Sequence, residues 1–129
     1  MRFLSIYKTR ETNTPPTPEH MTAMGKLIDE MTRAGSLLGT EGCLPSAKGA
    51  RVRIAQGKFS VTDGPFVETK ELVGGFALLQ ANSKEDAIEL AKTFLKVVGE
   101  GECEIRQLYE VPAEASASTS SGRREMDRS

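Results

Sequence analysis

Alternating apolar and polar residues predict a series of short strands along the chain. The clearest alternation runs over residues 2–8, where aromatic and β-branched side chains are frequent. Further strands are predicted within 36–46, over 73–81 and over 102–111. The 73–81 segment is apolar on both of its faces, and we therefore expect it at the centre of the sheet.

A β-hairpin is predicted between the second of these strands and the central one. Val52 and Ile54 alternate with arginines, and the pair Gln56-Gly57 is suited to a two-residue turn. Phe59 and Val61 continue the alternation on the return strand. The hairpin is thus expected to carry an apolar face and an arginine-rich face.

Two segments have the apolar spacing of amphipathic helices. Thr17 and Pro18 are typical of a helix start, and Gly35 is typical of a helix end. Between them, an apolar stripe at helical spacing is formed by Met21, Met24, Leu27, Ile28 and Met31. The second helix is predicted from a cap at Ser83 to a stop at Gly99. Its stripe is formed by Ala87, Ile88, Ala91, Phe94, Leu95 and Val98.

The order of these elements is strand, helix, strand, then the hairpin, then strand, helix, strand. This order predicts an α+β fold of the ferredoxin-like, split βαβ type, in which an antiparallel sheet carries both helices on one face. Two helices on one side of the sheet cannot cover all of its apolar side chains, which include Phe3, Tyr7, Phe76 and Leu78. An uncovered apolar sheet face marks an interaction surface, and its simplest cover is a second copy of the chain. We therefore expect a homodimer.

The length and composition indicate one folded domain and a tail. The 129 residues suffice for a single domain, which we place at residues 1–111. Residues 112–129 are rich in Ser and Ala and have no apolar periodicity, so they are predicted to form a flexible C-terminal tail.

Charge and cysteine content exclude several classes of protein. The net charge of −1 provides no field that would attract nucleic acid or an anionic membrane. No apolar run approaches a membrane span or a signal peptide, so a cytoplasmic protein is expected. Cys43 and Cys103 have no metal or redox spacing and are expected to be reduced, largely buried thiols. The sequence contains no metal-binding motif and no phosphate-binding loop, and neither a metal nor another cofactor is expected.

The stretch "VTDGPFVETKELVGGFALL" resembles the signature of the YCII-related, DGPF-type proteins. The resemblance extends from Met1 to about Val111 and includes "EGCLPSAKGARVRI" before the motif and "SKEDAIELAKTFL" after it. It implies a ferredoxin-like fold that dimerises through its sheets into a dimeric α/β barrel. It also implies a bacterial protein linked to extracytoplasmic-function sigma factors. Some related YCII proteins are enzymes that use a His–Asp pair in the cleft by the sheet, but this chain has one histidine, His20, which lies outside any matching motif.

Two residues are candidates for proton transfer. Asp63 is suited to act as a general base at the mouth of a cleft, or to cap the Asp-Gly-Pro turn through its side chain. His20 lies in the first turn of the first predicted helix, where the helix dipole disfavours its protonated form. A neutral histidine at that position is more often structural than catalytic.

Charged residues around the motif are candidates for binding a substrate. Glu68 and Lys70, with Glu71, are expected either to form an ion-pair network that pins the loop or to line a pocket. Arg51, Arg53 and Arg106 lie in predicted strands, and they would either clamp a small anionic metabolite in the dimer cleft or face water at a sheet edge.

The two glycines that follow this run are expected to serve the backbone. Gly74 and Gly75 predict a bulge or a close approach of two backbones, because no dinucleotide-binding pattern surrounds them.

Two hypotheses of function follow from these residues. The first is a dimeric binding or regulatory module, linked to sigma factors by resemblance alone. The second is an enzyme for a small polar metabolite, an isomerase or lyase with Asp63 as base and arginines as anion clamp. A side-chain-filled space beside Asp63 favours the module, whereas an open pocket where Asp63 and an arginine converge favours the enzyme.

Overall fold

The computed structural model describes residues 1–12 and 14–110. The predicted tail, residues 112–129, and the domain boundary at residue 111 lie outside the described residues. In chain order the elements are β1 (Arg2–Thr9), α1 (Pro18–Arg33), β2 (Leu37–Gly42), a 3-10 turn (Ser46–Lys48), β3 (Ala50–Ala55), β4 (Lys58–Asp63), β5 (Leu72–Gln80), α2 (Lys84–Val98) and β6 (Glu102–Gln107).

Both predicted helix starts are confirmed by their caps. The Thr17 hydroxyl accepts a hydrogen bond from the His20 amide at 3.2 Å, and the Ser83 hydroxyl accepts one from the Asp86 amide at 3.1 Å. These bonds satisfy amides that have no partner within the helix. Gly99 ends α2 with a φ of 88°, a left-handed conformation that glycine adopts without steric cost.

The main sheet has four antiparallel strands in the order β2-β5-β1-β6. With two helices on one face, this is the ferredoxin-like α+β fold expected from the element order. The apolar strand β5 lies inside the sheet between β2 and β1, as predicted. The hairpin β3–β4 forms a second sheet of its own and turns at Gln56-Gly57, where both residues have positive φ.

The core lies between the sheet and the helices. Its buried members are Phe3, Leu37, Leu79, Ala81 and Ala87. Half-buried side chains from α1, α2 and β6 pack against them, namely Ile28, Met31, Leu90 and Ile105.

The expected assignment of side chains to the uncovered sheet face is wrong for two residues. Phe3 is only 1% exposed in the core beneath the helices, and the Tyr7 ring meets the Phe94 ring of α2 edge to face at 5.1 Å. The other face carries Leu4, Ile6, Phe76 and Leu78, because Leu4 pairs with Leu78 and Ile6 with Phe76. We call these four residues the open sheet face, since both helices pack on the opposite side.

The predicted irregularity at Gly74 and Gly75 is confirmed. Tyr7 pairs with Gly75 and Lys8 with Val73, so Gly74 is the extra residue of a bulge. A Cβ on Gly75 would lie 2.7 Å from the Glu41 carbonyl oxygen of β2. Glycine is therefore required here by the close approach of two backbones.

Within the described residues, no helix is both long and apolar enough to cross a membrane.

Candidate functional site

The segment between β4 and β5, residues 64–71, is anchored on the 3-10 turn, and we call it the DGPF loop. The Gly64 amide donates to the Gly49 carbonyl at 3.0 Å, and the Phe66 amide donates to the Ser46 hydroxyl at 3.1 Å. The Ser46 hydroxyl donates in turn to the Glu11 carboxylate at 2.9 Å, and the Ser46 amide donates to the same carboxylate. Hydrogen bonds to a charged acceptor are among the strongest in proteins. This chain of bonds ties the loop to two distant segments.

Arg51 holds the outer side of the same loop. Its guanidinium lies over the Phe66 ring, 3.8 Å from the centroid, forms an ion pair with Glu68, and donates to the Thr69 hydroxyl at 3.2 Å. The hydrogen bond from Arg51 holds the pKa of Glu68 below its ordinary value. For Glu68, this arrangement supports the predicted ion-pair network. It also engages Arg51, which was expected either to clamp an anion or to face water at a sheet edge.

Asp63 is the last residue of β4, lies opposite Ala50, and is exposed. Within the described residues its carboxylate makes no hydrogen bond, so the predicted side-chain cap of the turn is not observed. The bonds to Ser46 and Gly49 take the place of that cap. Asp63 also lines neither of two cavities in the described part of the chain, one beside the DGPF loop and one on the helix side of the main sheet.

A shallow cavity of about 460 Å³ lies beside the DGPF loop, and we call it the basic pocket. Its lining includes Lys70, which was predicted, and Arg10, which was not. Neither cation forms an ion pair with another described residue. Glu11 also lines the pocket, but its carboxylate is bonded to Ser46. The pocket therefore presents two cations and one carboxylate, and neither cation is held in a direct ion pair by the described part of the chain.

The other predicted arginines lie in separate places. Arg53 is exposed on β3, two residues from Arg51 and opposite Ser60 of β4. Arg106 lies on β6 in the main sheet and donates to the Glu104 carboxylate at 3.1 Å. Within one chain, Arg106 therefore belongs to a different sheet from Arg51 and Arg53.

Arg106 is part of a charged cluster beside the open sheet face. The Lys8 ammonium lies 2.7 Å from the Glu104 carboxylate, which Arg106 also contacts. The hydrogen bond from Lys8, followed by that from Arg106, holds the pKa of Glu104 below its ordinary value, and the same bond with Glu104 raises the pKa of Lys8. These side chains share the open side of the sheet, because Glu104 pairs with Ile6 and Arg106 with Leu4.

Among the described residues, His20 makes no side-chain hydrogen bond or ion pair with any other candidate residue. Its side chain is exposed in the first turn of α1, and its backbone amide receives the Thr17 cap. Within the described residues, no hydrogen bond or ion pair joins its ring to an aspartate. The described residues also include no group of three histidine, cysteine, aspartate or glutamate side chains placed to hold a metal ion.

The cysteines differ from their predicted environment. Both are free thiols, but Cys43 is exposed and Cys103 is half-buried. Cys43 is exposed because it follows the end of β2 at the sheet margin, where its amide donates to the Gly74 carbonyl at 2.9 Å. Burial raises the pKa of the Cys103 thiol, which lowers its reactivity.

The hairpin presents an apolar surface that its own two strands cannot cover. Val52 pairs with Val61 and Ile54 with Phe59, which places all four side chains on one face. Their exposures are 68%, 63%, 60% and 75%, respectively. We call this set the hairpin apolar face. A two-stranded hairpin is only marginally stable alone, so such a face is expected to need a partner surface.

Two features of the motif's surroundings were missed by the sequence analysis. Ser46 anchors the DGPF loop. The sequence around it indicates only that a short 3-10 turn begins after Pro45 and gives no sign of a contact with the loop. Glu11 and Arg10 lie in a polar connection after β1 and have no periodicity or motif that would mark them. Tertiary contact alone brings them to the loop.

These observations define a small ferredoxin-like α+β domain with a hairpin inserted between β2 and β5. The family model of the YCII-related domain matches residues 1–112, and the chain therefore belongs to the YCII-related family.

Two further comparisons were found. An uncharacterised protein of Rhizobium meliloti (strain 1021) is 37% identical over 59 residues, which is 46% of this chain and 48% of that protein. The match thus spans about half the length of this relative. Among solved structures, CutA from Xylella fastidiosa is similar with a TM-score of 0.41 and 13% sequence identity, over 90% of this chain and 91% of that chain.

Proposed function

We propose that the protein is a homodimeric binding module that binds a small anionic metabolite. The observation that carries this proposal is the hairpin apolar face, whose four side chains are each at least 60% exposed. The open sheet face adds a second apolar surface, on which Phe76 is 40% exposed. Soluble monomers rarely expose contiguous apolar surfaces of this kind, and a second copy is the simplest partner that covers both.

The geometry supports an interface between sheets. The open sheet face has an apolar centre formed by β1 and β5, and a charged border formed by Glu104 and Arg106 of β6 with Lys8 at the end of β1. An apolar centre with a polar rim is the usual anatomy of a stable protein interface. Two such faces related by a two-fold axis would bury their apolar strips against each other and leave the charged clusters at the edge.

The oligomeric state tests this proposal directly. Light scattering at micromolar concentration should report twice the chain mass of 14.0 kDa. The mass should change little with added salt, because an apolar interface does not depend on screened surface charge. A monomeric mass at all accessible concentrations would contradict the proposal.

The basic pocket supports the choice of an anionic ligand. Arg10 and Lys70 line one cavity beside the anchored DGPF loop. Lysine and arginine bind carboxylates and phosphates through charge-assisted hydrogen bonds. The loop that forms the wall is already held by Ser46 and Arg51, so binding would require little ordering of the backbone.

A thermal-shift series tests the ligand class. Citrate, malonate and inorganic phosphate should each be titrated, and at least one should raise the melting temperature, since a ligand that prefers the folded state stabilises it. Lys70→Gln should weaken binding of that anion about tenfold, as expected for the loss of one charge-assisted hydrogen bond. Lys58→Gln, at the exposed start of β4, is the matched control and should leave the affinity unchanged. Equal effects of the two substitutions would exclude the basic pocket as the site.

The regulatory context is proposed from the family resemblance. The chain resembles DGPF-type proteins, and that resemblance implies a link to extracytoplasmic-function sigma factors. We propose that this module acts within such a sigma-factor system in the cytoplasm. A direct test is calorimetric titration of the purified dimer into a purified sigma factor of this class, with and without the anion. Binding that the anion changes would support regulation, whereas no binding in either state would contradict it.

The alternative function, an enzyme that uses Asp63 as a base, has less support. Asp63 is exposed and outside both cavities, and Arg51 is engaged with Glu68. A general base must come within hydrogen-bonding reach of the proton that it removes. Turnover of a bound metabolite that is lost in Asp63→Asn, with binding retained, would favour the enzyme over the module.

A further inference from the structure

A cavity of about 450 Å³ lies between the helices and the main sheet. The apolar stripes of α1 and α2 form its upper wall, and β1, β2 and β5 form its floor. The upper wall consists chiefly of Met24, Leu27, Ile28, Leu90, Phe94 and Val98. The volume is within the range of small-molecule sites in proteins, which are mostly apolar clefts with few polar groups.

The floor of the cavity is built from small residues. On the helix side of the sheet, Ala77 of β5 lies between Ser5 of β1 and Thr40 of β2, because it pairs with both. The next position of β5 on this side is Gly75, where a Cβ would lie 2.7 Å from the Glu41 carbonyl oxygen. The backbone of the neighbouring strand therefore excludes a side chain at Gly75, and the strands leave the space beneath the helices unfilled.

The lining of the cavity provides no charged side chain in the described part of the chain. Glu41 is the one acidic or basic residue among the lining residues. It pairs with Phe76, so its side chain lies on the open sheet face, and it borders the cavity with its backbone. An ionised ligand would lose its hydration in this cavity without gaining a counter-charge, which costs far more than burying a neutral molecule. The cavity is therefore suited to an uncharged ligand.

The hydroxyl groups of the floor offer hydrogen-bond acceptors rather than donors. The Thr40 and Tyr7 hydroxyls donate to backbone carbonyls, at 2.8 Å in each case. Ser5 is only 6% exposed, and its hydroxyl lies beside the Cys103 thiol. Burial raises the pKa of this thiol, and a hydrogen bond from Ser5 opposes that rise. Because the Ser5 proton is directed to the sulfur, lone pairs on its oxygen stay available to a ligand.

We propose that this cavity binds a small uncharged alcohol or phenol, with its apolar body between the helices and its hydroxyl group donating to the Ser5 oxygen. An ether or a ketone of the same shape lacks the proton that the floor can accept. A carboxylate or an ammonium ion finds no opposite charge in the lining. A neutral hydroxyl compound matches both properties of the site.

This inference goes beyond the proposed anion-binding dimer. The cavity lies on the helix side of the sheet, opposite the open sheet face, and shares no lining residue with the basic pocket. A failure of one proposal therefore leaves the other standing, and the experiments use different ligands.

The first test compares a neutral ligand with an ion of the same body. Calorimetric titration with 4-ethylphenol, which is uncharged at neutral pH, should show saturable binding of one molecule per chain. The 4-ethylbenzoate anion should bind at least about tenfold more weakly, because its charge finds no partner in the cavity. Equal affinity of the two ligands would overturn the claim that the cavity selects an uncharged molecule.

A serine variant tests the hydrogen bond. Ser5→Ala should weaken binding of 4-ethylphenol about fivefold, as expected for the loss of one neutral hydrogen bond. The same variant should leave the affinity for 4-ethylanisole, the methyl ether of the same body, unchanged. Equal weakening of both ligands would overturn the proposed contact, because it would show that Ser5 acts through packing alone.

A second pair of variants locates the binding. Ala91 is buried at the cavity wall, and Ala91→Leu should fill the space and weaken 4-ethylphenol binding at least about tenfold. The matched control is Ala23→Leu, at an exposed position of α1 outside the cavity, which should leave the affinity unchanged.

If Ala91→Leu does not fold, as judged by its circular dichroism, Val98→Phe at the same wall replaces it. Binding that survives the filling substitution in a folded protein, or that is absent from the wild type, would overturn the proposal.

Discussion

Replacing Gly64 with alanine should lower the free energy of unfolding by about 3 kcal/mol, the upper range for forcing an extra carbon into packed structure. A Cβ at this position would overlap the Ser46 carbonyl oxygen, and it would lie 2.5 Å from the Ser46 carbonyl carbon and 3.1 Å from the Ala47 nitrogen. These are backbone atoms of the 3-10 turn, which cannot swing aside as the end of a long side chain can. The loop must move away from the turn and thereby lose the bonds of Gly64 to Gly49 and of Phe66 to Ser46.

The measurement is thermal unfolding at a fixed protein concentration, and the midpoint should fall by on the order of 10 °C. Amide exchange at Phe66 should accelerate, because its acceptor on Ser46 moves away. Gly39→Ala is the control in a strand, and Gly25→Ala the control in a helix, since a Cβ at either position meets nothing within 4 Å. Gly25→Ala should even stabilise α1 by about 0.5–1 kcal/mol. If Gly64→Ala unfolds at the same temperature as Gly39→Ala, the loop is not packed on the turn.

Features with local causes were predictable from the sequence. A cap such as Thr17 or Ser83 acts on amides within three residues, and the turn at Gln56-Gly57 depends on two adjacent backbones. The ferredoxin-like order follows from the succession of such local elements, and a strand that is apolar on both faces, as β5 is, belongs inside a sheet. For the same reason the bulge at Gly74 could be anticipated, because a glycine pair inside a strand pattern has few other uses.

Features that depend on the assembled chain were not predictable. Alternation shows that Phe3 and Leu4 lie on opposite faces, but not which face receives the helices, and Phe3 was therefore assigned to the wrong side. The anchoring of the DGPF loop joins Glu11, Ser46 and Phe66 from three separate segments. Within the motif, Asp63 is the residue suited to cap the Asp-Gly-Pro turn. No pattern in the motif indicates that Ser46, from a distant segment, holds the loop instead.

Substituting Phe76 with glutamate should convert the proposed dimer into monomers. Phe76 is 40% exposed in the single chain, so a charge there remains hydrated and the fold should tolerate it. In a face-to-face dimer the same position would be enclosed with Ile6, its cross-strand partner, near the centre of the open sheet face. An uncompensated charge enclosed in this way costs about 3 kcal/mol or more.

A two-fold axis introduces that cost twice, for a total of about 6 kcal/mol, which weakens association about 10⁴-fold. Light scattering at micromolar concentration should then report the single-chain mass of 14.0 kDa, while circular dichroism remains that of the wild type. Met21→Glu is the matched control, because Met21 is 63% exposed on α1, outside both apolar surfaces, and the variant should stay dimeric.

Phe59→Glu shows which of the two apolar surfaces forms the interface. If Phe59→Glu stays dimeric and Phe76→Glu does not, the dimer forms through the open sheet face. If Phe76→Glu stays dimeric and Phe59→Glu does not, it forms through the hairpin apolar face. A dimeric mass for both variants would exclude both surfaces, because neither interface can enclose an unpaired carboxylate at its centre without dissociating.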